Sequence, residues 1–386
     1  MFDRVLMWIA SVSLSLIAKV RFRTRKTQVD SPEPGSIIFC NHTSNWDFAL
    51  LLYALYPRRD VRFVVSSVQF DKSPFVAWLF KHLGLIRKNQ GTHDLICVKE
   101  IIKNVRAGKV VVIYAAGMTS YDGRQAWDAL PGSVNLARML KCPVYVALIH
   151  GGFIGRPRHA GKVYRGRQDI SVKRLFTSEE SAALPLPDAE AQLNAVLRFN
   201  DWDWQEREHV KFKPAGDLRG ANLPLYRCPA CGKEGHMKVE KGRIFCPDCG
   251  LFAVKDEYGF FVSDSPACPK RMDVWVDMEI EEIRKTISDR SFKLTSSVTL
   301  FKKQEGGGDR YFPCDRGTLT MDPDGIRFEG EAPIVLSYKD FQFLVLDDGH
   351  FIQINTPDAA LRFVFDDGAL ITKWFFAHRL LCGIEA

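Results

Sequence analysis

IIFCNHTSNWDFALLLYAL, residues 37–55, sets a polar knot inside an apolar run. Ile37, Ile38, Phe39 and Cys40 read as a short buried strand, and Phe48 to Leu55 as the buried start of a helix. Between them, Thr43, Ser44 and Asn45 are residue types that cap a helix N-terminus. The knot is therefore a strand-to-helix turn, and it carries His42 and Asp47. On one regular helix, residues five apart stand about 140° from each other and cannot meet. With the histidine in the turn and the aspartate in the first helical turn, they can. A carboxylate on one ring nitrogen fixes the tautomer and stabilises the imidazolium, so the other nitrogen is left to take a proton from a hydroxyl. The nearby sequence offers no convincing third member of a triad, and a substrate can supply that hydroxyl. Taken alone, His42 also reads as a capping or core histidine.

Outward from this turn, residues 61–66, 110–114 (VVVIY) and 143–149 read as strands, and residues 75–83, 94–107, 133–140 and 188–207 as helices. A basic stretch, 156–174, lies between the last of these strands and the last helix. The alternation predicts an α/β domain, a mixed sheet flanked by helices. At 386 residues the chain is long for one core, so two or three domains are expected. Charge divides it as well. Residues 1–200 hold 28 Lys and Arg against 15 Asp and Glu, a balance of +13, whereas residues 201–386 hold 25 against 31, or −6. Only the basic half is suited to an anionic partner, a phospholipid surface or nucleic acid.

Residues 5–18 (VLMWIASVSLSLIA) carry no charge, and Lys19, Arg21, Arg23, Arg25 and Lys26 follow at once. A helix of that length reaches about 21 Å, short of the roughly 30 Å hydrocarbon core of a bilayer. The segment reads as a helix lying in the cytoplasmic interface, held by its apolar face and by attraction to anionic lipid. A signal peptide lacks support, because no small-x-small cleavage site follows the apolar run. An ordinary first helix packed on its own domain stays open.

Three further blocks follow the turn. They are Gly84-Leu-Ile-Arg87, Tyr114-Ala-Ala-Gly-Met-Thr-Ser120 and Cys142-Pro-Val-Tyr-Val-Ala147. With Asn41-His42-x4-Asp47, their order and spacing resemble the four blocks of the glycerolipid (1-acyl-glycerol-3-phosphate) acyltransferase family, over a region reaching to about residue 210. The resemblance implies that His42 deprotonates the acceptor hydroxyl while Asp47 orients it. It also implies that Asn41, Arg87, Gly117, Ser120 and Arg124 help bind substrate, and that backbone N–H groups near Gly117 steady the oxyanion. The donor implied is acyl-CoA or acyl-carrier protein, and the acceptor a lysophospholipid, 1-acyl-glycerol 3-phosphate first among them. One departure stands out. The family's third block is Phe-Pro-Glu-Gly-Thr-Arg-Ser, and here its Glu is Ala116 and its Arg is Thr119. Arg124, Arg156 and Arg158 lie close enough in sequence to replace the lost phosphate contacts; the plainer reading makes them solvated surface charges.

Ten cysteines include Cys228-Pro-Ala-Cys231 and, after 14 residues, Cys246-Pro-Asp-Cys249. Two such knuckles at this separation predict a zinc ribbon, with Zn²⁺ on four thiolates in a closed, structural site and strands at 237–239 and 243–245. A redox disulfide pair is the alternative. Zinc ribbons often bind nucleic acid, but this one lies in the acidic half, so no nucleic-acid partner is expected. Beyond a helix at 272–287, short β-like runs recur at 298–301, 318–321, 326–328, 334–337, 341–346, 351–355 and 361–365, several parted by Asp-Gly turns. A helix at 369–381, with Leu370, Trp374, Ala377 and Leu381 on one face, closes the chain. This pattern resembles a pleckstrin-homology-like (PH) or GRAM-like domain.

The expected organisation is an interfacial helix and basic segment (1–27), an acyltransferase domain (28–211), a linker (212–223), the ribbon (224–262), a connecting helix (263–289) and the β-rich domain (290–386). The expected function is a peripheral-membrane acyltransferase of phospholipid synthesis. A different class stays open, in which an acyltransferase-like domain without its acceptor contacts binds lipid or regulates a partner.

Overall fold

The computed structural model describes residues 2–70, 72–89, 94–125, 128–129, 132–303, 311–341, 343–347, 350–356 and 359–384. They divide into two units: one holds the chain up to Asn89 together with Asp94–Pro214, and the other runs from Ala215.

The first unit is organised around Ile37–Cys40, buried at all four positions. A strand buried on both faces and both edges sits inside a sheet. Numbered along the chain, the strands are β1 (Arg25–Val29), β2 (Ile37–Cys40), β3 (Val61–Ser66), β4 (Ile86–Lys88), β5 (Val110–Tyr114), β6 (Val144–His150) and β7 (Asp169–Phe176). They lie in the order β1-β7-β6-β2-β5-β3-β4, with every neighbouring pair parallel except β6 and β7. Alternation along β2 splits the core. Ile38 and Cys40 join Ala18, Leu50, Leu51 and Ile170 on one face, whereas Ile37 and Phe39 join Ile101, Val134, Ala137 and Leu193 on the other.

The helices of this unit are α1 (Phe2–Val20), α2 (Asp47–Leu55), α3 (Ser67–Phe70), α4 (Pro74–His82), α5 (Leu95–Arg106), α6 (Ser133–Leu140), α7 (Gly152–Gly155), α8 (Ser178–Ala183), α9 (Leu186–Leu197) and α10 (Asp201–Glu208). α1 and α2 cover the first face; α5, α6 and α9 cover the second. α1 has two characters. Met7, Ser11, Ser15 and Ala18 are buried, while Phe2, Val5, Ile9, Val12, Leu16 and Val20 are exposed as an apolar stripe. Among the described residues, no helix is long and apolar enough to cross a membrane.

Three elements depart from the sequence reading. The basic segment after α1 is partly a strand: Arg25 in β1 makes a two-pronged ion pair with Asp169, at 2.9 and 2.6 Å, and does not stand free for lipid. The basic stretch 156–174 conceals the start of β7, whose alternate residues Ile170 and Val172 are buried against β6. The helix expected over 188–207 is broken between α9 and α10, where Asn200 accepts from the Trp202 N–H at 2.8 Å and caps the second piece.

In the second unit, β8 (Lys238–Glu240), β9 (Arg243–Phe245), β10 (Phe252–Lys255) and β11 (Phe261–Val262) form an antiparallel sheet in the order β11-β10-β9-β8. After α11 (Met272–Ser288) come β12 (Leu294–Lys303), β13 (Tyr311–Asp322), β14 (Gly325–Glu329), β15 (Ile334–Leu336), β16 (Leu344–Asp347), β17 (Phe351–Asn355) and β18 (Ala360–Phe365). Their order is β15-β14-β13-β12-β18-β17-β16, all antiparallel, so the first strand pairs with the last. α12 (Ile371–Leu381) closes the chain and is buried along most of its surface, not on one face alone: Phe375, Phe376 and His378 are inside with Trp374. Residues 212–223, expected as a linker, are turns that bury Leu218 and Ala221.

His378 is 1% exposed and stacks on Phe341 at 5.0 Å. Burial, with the charge of Arg379, pushes its pKa down to about 3. The native state then binds fewer protons than the unfolded chain, so stability is present above about pH 6.5 and is lost as pH falls toward 3. On the order of 2 kcal/mol should go between pH 7 and pH 5. Thermal unfolding of wild type and His378→Leu at both pH values checks this: the variant should show the flatter dependence.

Candidate active site

β2, β5 and β6 run parallel, and the chain turns sharply where they end. Crevices at the carboxyl ends of such strands are where open α/β sheets bind ligands. Asp47 opens α2 there, 1% exposed. Its carboxylate accepts the Thr43 N–H at 2.7 Å, the Ser44 N–H at 3.0 Å, the Thr43 hydroxyl at 2.8 Å and the Ser44 hydroxyl at 2.9 Å. Thr43 and Ser44 thus do not cap the helix as expected; Trp46 holds the cap position without a side-chain bond. They donate forward instead, and the aspartate gathers the donors of the whole turn.

The remaining contact is with His42, whose Nδ1 stands 2.8 Å from Asp47 Oδ2. A carboxylate only accepts, so Nδ1 carries the hydrogen, and in the neutral imidazole Nε2 keeps the lone pair. The imidazole stacks on the Tyr114 ring, centroids 4.2 Å apart and 20° from coplanar, and is 19% exposed. Burial pushes the Tyr114 hydroxyl well up, with Cys40 and Asp47 adding to the effect, and its ring forms a wall beside the imidazole.

Other expected site residues lie nearby in different employment. Asn41 is fully buried, and both ends of its amide are used on β6: Nδ2 donates to the Ile149 carbonyl at 2.8 Å, and Oδ1 accepts the Ile149 N–H at 2.9 Å. It joins the ends of β2 and β6. The Ser120 N–H donates to the His42 carbonyl at 2.8 Å, while its hydroxyl donates to the Arg124 carbonyl at 2.7 Å and accepts the Gly123 N–H at 2.9 Å. Ser120 therefore holds the turn beside His42. Arg124 is committed to Asp122 through Nε at 2.6 Å. Gly117, at φ +73°, directs its N–H to the Tyr114 carbonyl at 3.0 Å. Arg87 lies exposed on the edge strand β4, its guanidinium 5.7 Å above the Phe70 ring, with β3 and β5 between it and β2.

Two supports escaped the sequence reading. Asp201, fully buried at the start of α10, accepts the N–H groups of Gly151 at 2.9 Å and Phe153 at 3.0 Å, fixing the short α7. Burial pushes its carboxyl up to about 7, against the pull of those N–H groups. α7 in turn brings Gly152 against Thr43, where a Cβ would fall 2.0 Å from the Thr43 hydroxyl oxygen. The one available signal was the Gly-Gly pair that follows β6 directly. From the same segment, Arg156 sets its guanidinium 5.8 Å from the Trp46 ring centroid, and Arg158 donates to the Thr119 hydroxyl at 3.2 Å.

In the second unit the four knuckle sulfurs lie within 4.8 Å of one another, with Cys228–Cys249 at 3.6 Å and Cys231–Cys246 at 3.7 Å. A tetrahedron of sulfurs about 2.3 Å from a central ion has edges near 3.8 Å. The two knuckles are built alike: Gly232 donates to the Cys228 carbonyl at 2.9 Å, Gly250 to the Cys246 carbonyl at 3.0 Å, and both glycines sit at φ +77°. The cage fits one metal ion.

Residues 19–149 match the Acyltransferase family model. The match contains the His42–Asp47 turn and all of β1 to β5. Among solved structures, the chain is similar to the 1-acyl-sn-glycerophosphate (LPA) acyltransferase PlsC from Thermotoga maritima. The identity is 16% and the TM-score 0.41, over 52% of this chain and 79% of that one. It is also similar to the C-terminal domain of an unknown protein from Leishmania infantum, at 14% identity and a TM-score of 0.17, over 26% of this chain and 96% of that one. No curated protein matches.

Gly152→Ala should force Thr43 aside and lower stability by about 1–3 kcal/mol. Adding Thr43→Ala removes the colliding hydroxyl, so the double variant should lose less than the sum of the single ones. Equal, additive losses in chemical denaturation would show that the two residues do not press on each other.

Proposed function

We propose that this protein is a peripheral-membrane acyltransferase. It moves an acyl chain from acyl-CoA or acyl-carrier protein to the hydroxyl of a lysophospholipid, with 1-acyl-glycerol 3-phosphate as the acceptor. One observation carries the reading: a partly exposed histidine whose Nδ1 is pinned by a saturated, buried carboxylate. His42 Nε2 takes the acceptor's hydroxyl proton as the oxygen attacks the thioester carbon. The new C–O bond forms, the C–S bond breaks, and the thiolate leaves with the proton from the imidazolium. Asp47 steadies the charge that the imidazole gains.

Side-chain nucleophiles are poorly placed for an acyl-enzyme. Cys40 is fully buried, and burial pushes its thiol well up. The hydroxyls of Thr43 and Ser44 are bound to Asp47, and that of Ser120 to its own turn. Direct attack by the substrate fits these facts. The exposed stripe of α1, with Lys19, Arg21 and Arg23 beyond it, fits the cytoplasmic face of a membrane, and exposed Phe75 and Trp78 on α4 extend the apolar surface. Arg87 remains a candidate for the acceptor's phosphate. The cysteine cage is assigned to structural Zn²⁺, since four protein sulfurs leave no open position for catalysis. The β12–β18 sheet closed by α12 supports the PH- or GRAM-like assignment.

Transfer of a labelled acyl group to a panel of lysophospholipids tests the activity. His42→Ala should lower the rate by about 10²–10⁴, and Asp47→Asn should also slow it. Inertness of the wild type across the panel, with vesicle binding intact, would move the regulatory reading ahead. For the cage, native mass spectrometry should find one zinc per chain in the wild type and none in Cys228→Ser/Cys246→Ser. Metal-free wild type would refute the ribbon assignment.

A further inference from the structure

Arg156 is half-buried, and among the described residues its guanidinium forms no hydrogen bond or ion pair. An arginine cannot shed its charge to suit a poorly solvated place; the negative charge that acts on it is that of Asp47, whose carboxylate makes no ion pair with it and is filled by Thr43 and Ser44. Its position is specific. It follows α7, whose Gly152 touches Thr43, and its guanidinium lies over Trp46, the residue before Asp47. Arg158 donates to Thr119 and lies 4.7 Å over the Tyr121 ring, and between those two residues Ser120 bonds the His42 carbonyl. The two guanidinium groups therefore contact two segments that adjoin the His42–Asp47 turn, one through Trp46 and the other through Thr119 and Tyr121. Arg124, the third arginine suggested by sequence, is paired with Asp122.

We propose that Arg156, assisted by Arg158, binds a phosphate group of the substrate and takes over the task of the arginine that the third block lacks at Thr119. This rests on the acyl-transfer reading. Planar guanidinium groups suit phosphate oxygens because they give paired N–H donors in a fixed fork. Replacement from the 156–158 segment also accounts for the other departure: with Ala116 in place of an acidic residue, no carboxylate of that block competes for these cations. The phosphate is assigned to the acceptor, whose hydroxyl must lie within reach of His42 while its head group is held.

The test measures binding and turnover separately, with 1-acyl-glycerol 3-phosphate and the 1-acyl-glycerol of the same chain length. By calorimetry, wild type should bind the phosphorylated lipid at least tenfold more tightly than the neutral one. Arg156→Ala should weaken only the phosphorylated ligand, by about ten- to hundredfold. Arg156→Lys keeps the charge and the stem over Trp46 and should recover part of the loss. Arg156→Ala/Arg158→Ala should erase the discrimination. In turnover the effect should fall on the acceptor's KM, with kcat changed far less. A wild type that binds both lipids equally, or an Arg156→Ala variant that discriminates as well as wild type, would overturn the proposal. Should the loss fall instead on coenzyme A binding, the phosphate site stands, but its occupant is the donor. Discriminating binding without any acyl transfer would sink the enzymatic reading and leave the anion site in place. Transfer indifferent to both arginines would do the reverse.

Discussion

Everything at the candidate site hangs on the carboxylate of Asp47. A buried carboxylate is costly unless its lone pairs are filled. Here four donors from Thr43 and Ser44 fill them, with His42 as the fifth partner. These donors come from consecutive residues, so the turn must fold back on the start of α2 to satisfy the aspartate. That requirement fixes where the imidazole stands. The imidazole is aimed by the needs of its neighbour; the Tyr114 ring stacks on it, and the Ser120 N–H holds the His42 carbonyl.

The sheet supplies the frame for this turn. β2 has a parallel neighbour on each edge and an apolar cluster on each face, so its end is fixed in all directions. Asp201 extends the frame outward. It gathers the N–H groups of α7 and so presses Gly152 against Thr43, linking α10 to Asp47 through two intervening residues. Its own ionisation suffers for this, because burial outweighs the backbone bonds that favour the charged form.

Legibility in the sequence followed the range of the interactions. Residues 61–66, 110–114 and 133–140 read correctly because continuous apolar runs and helical periodicity are local signals. The four cysteines were legible for the same reason, since each knuckle spans only a few residues. β1 and β7 were hidden by their charges: Arg25 looks solvated until Asp169, 144 residues away, is placed beside it. Asn41 was misread on the same grounds, because its partner Ile149 lies 108 residues on. The donors to Asp47 were not legible. Thr43 and Ser44 read as caps in the sequence because capping residues and carboxylate donors are the same residue types. Arg156 was named only by proximity in sequence, and three-dimensional placement separated it from Arg124.

The double bond between Asn41 and Ile149 also bears on motion. One residue before His42, the chain is tied to a different strand, not to its own loop. Backbone opening at residue 41 must first break two buried hydrogen bonds between the ends of β2 and β6. The backbone at residue 41 is thereby tied across two strands, and larger displacements fall to the parts of the chain outside that tie.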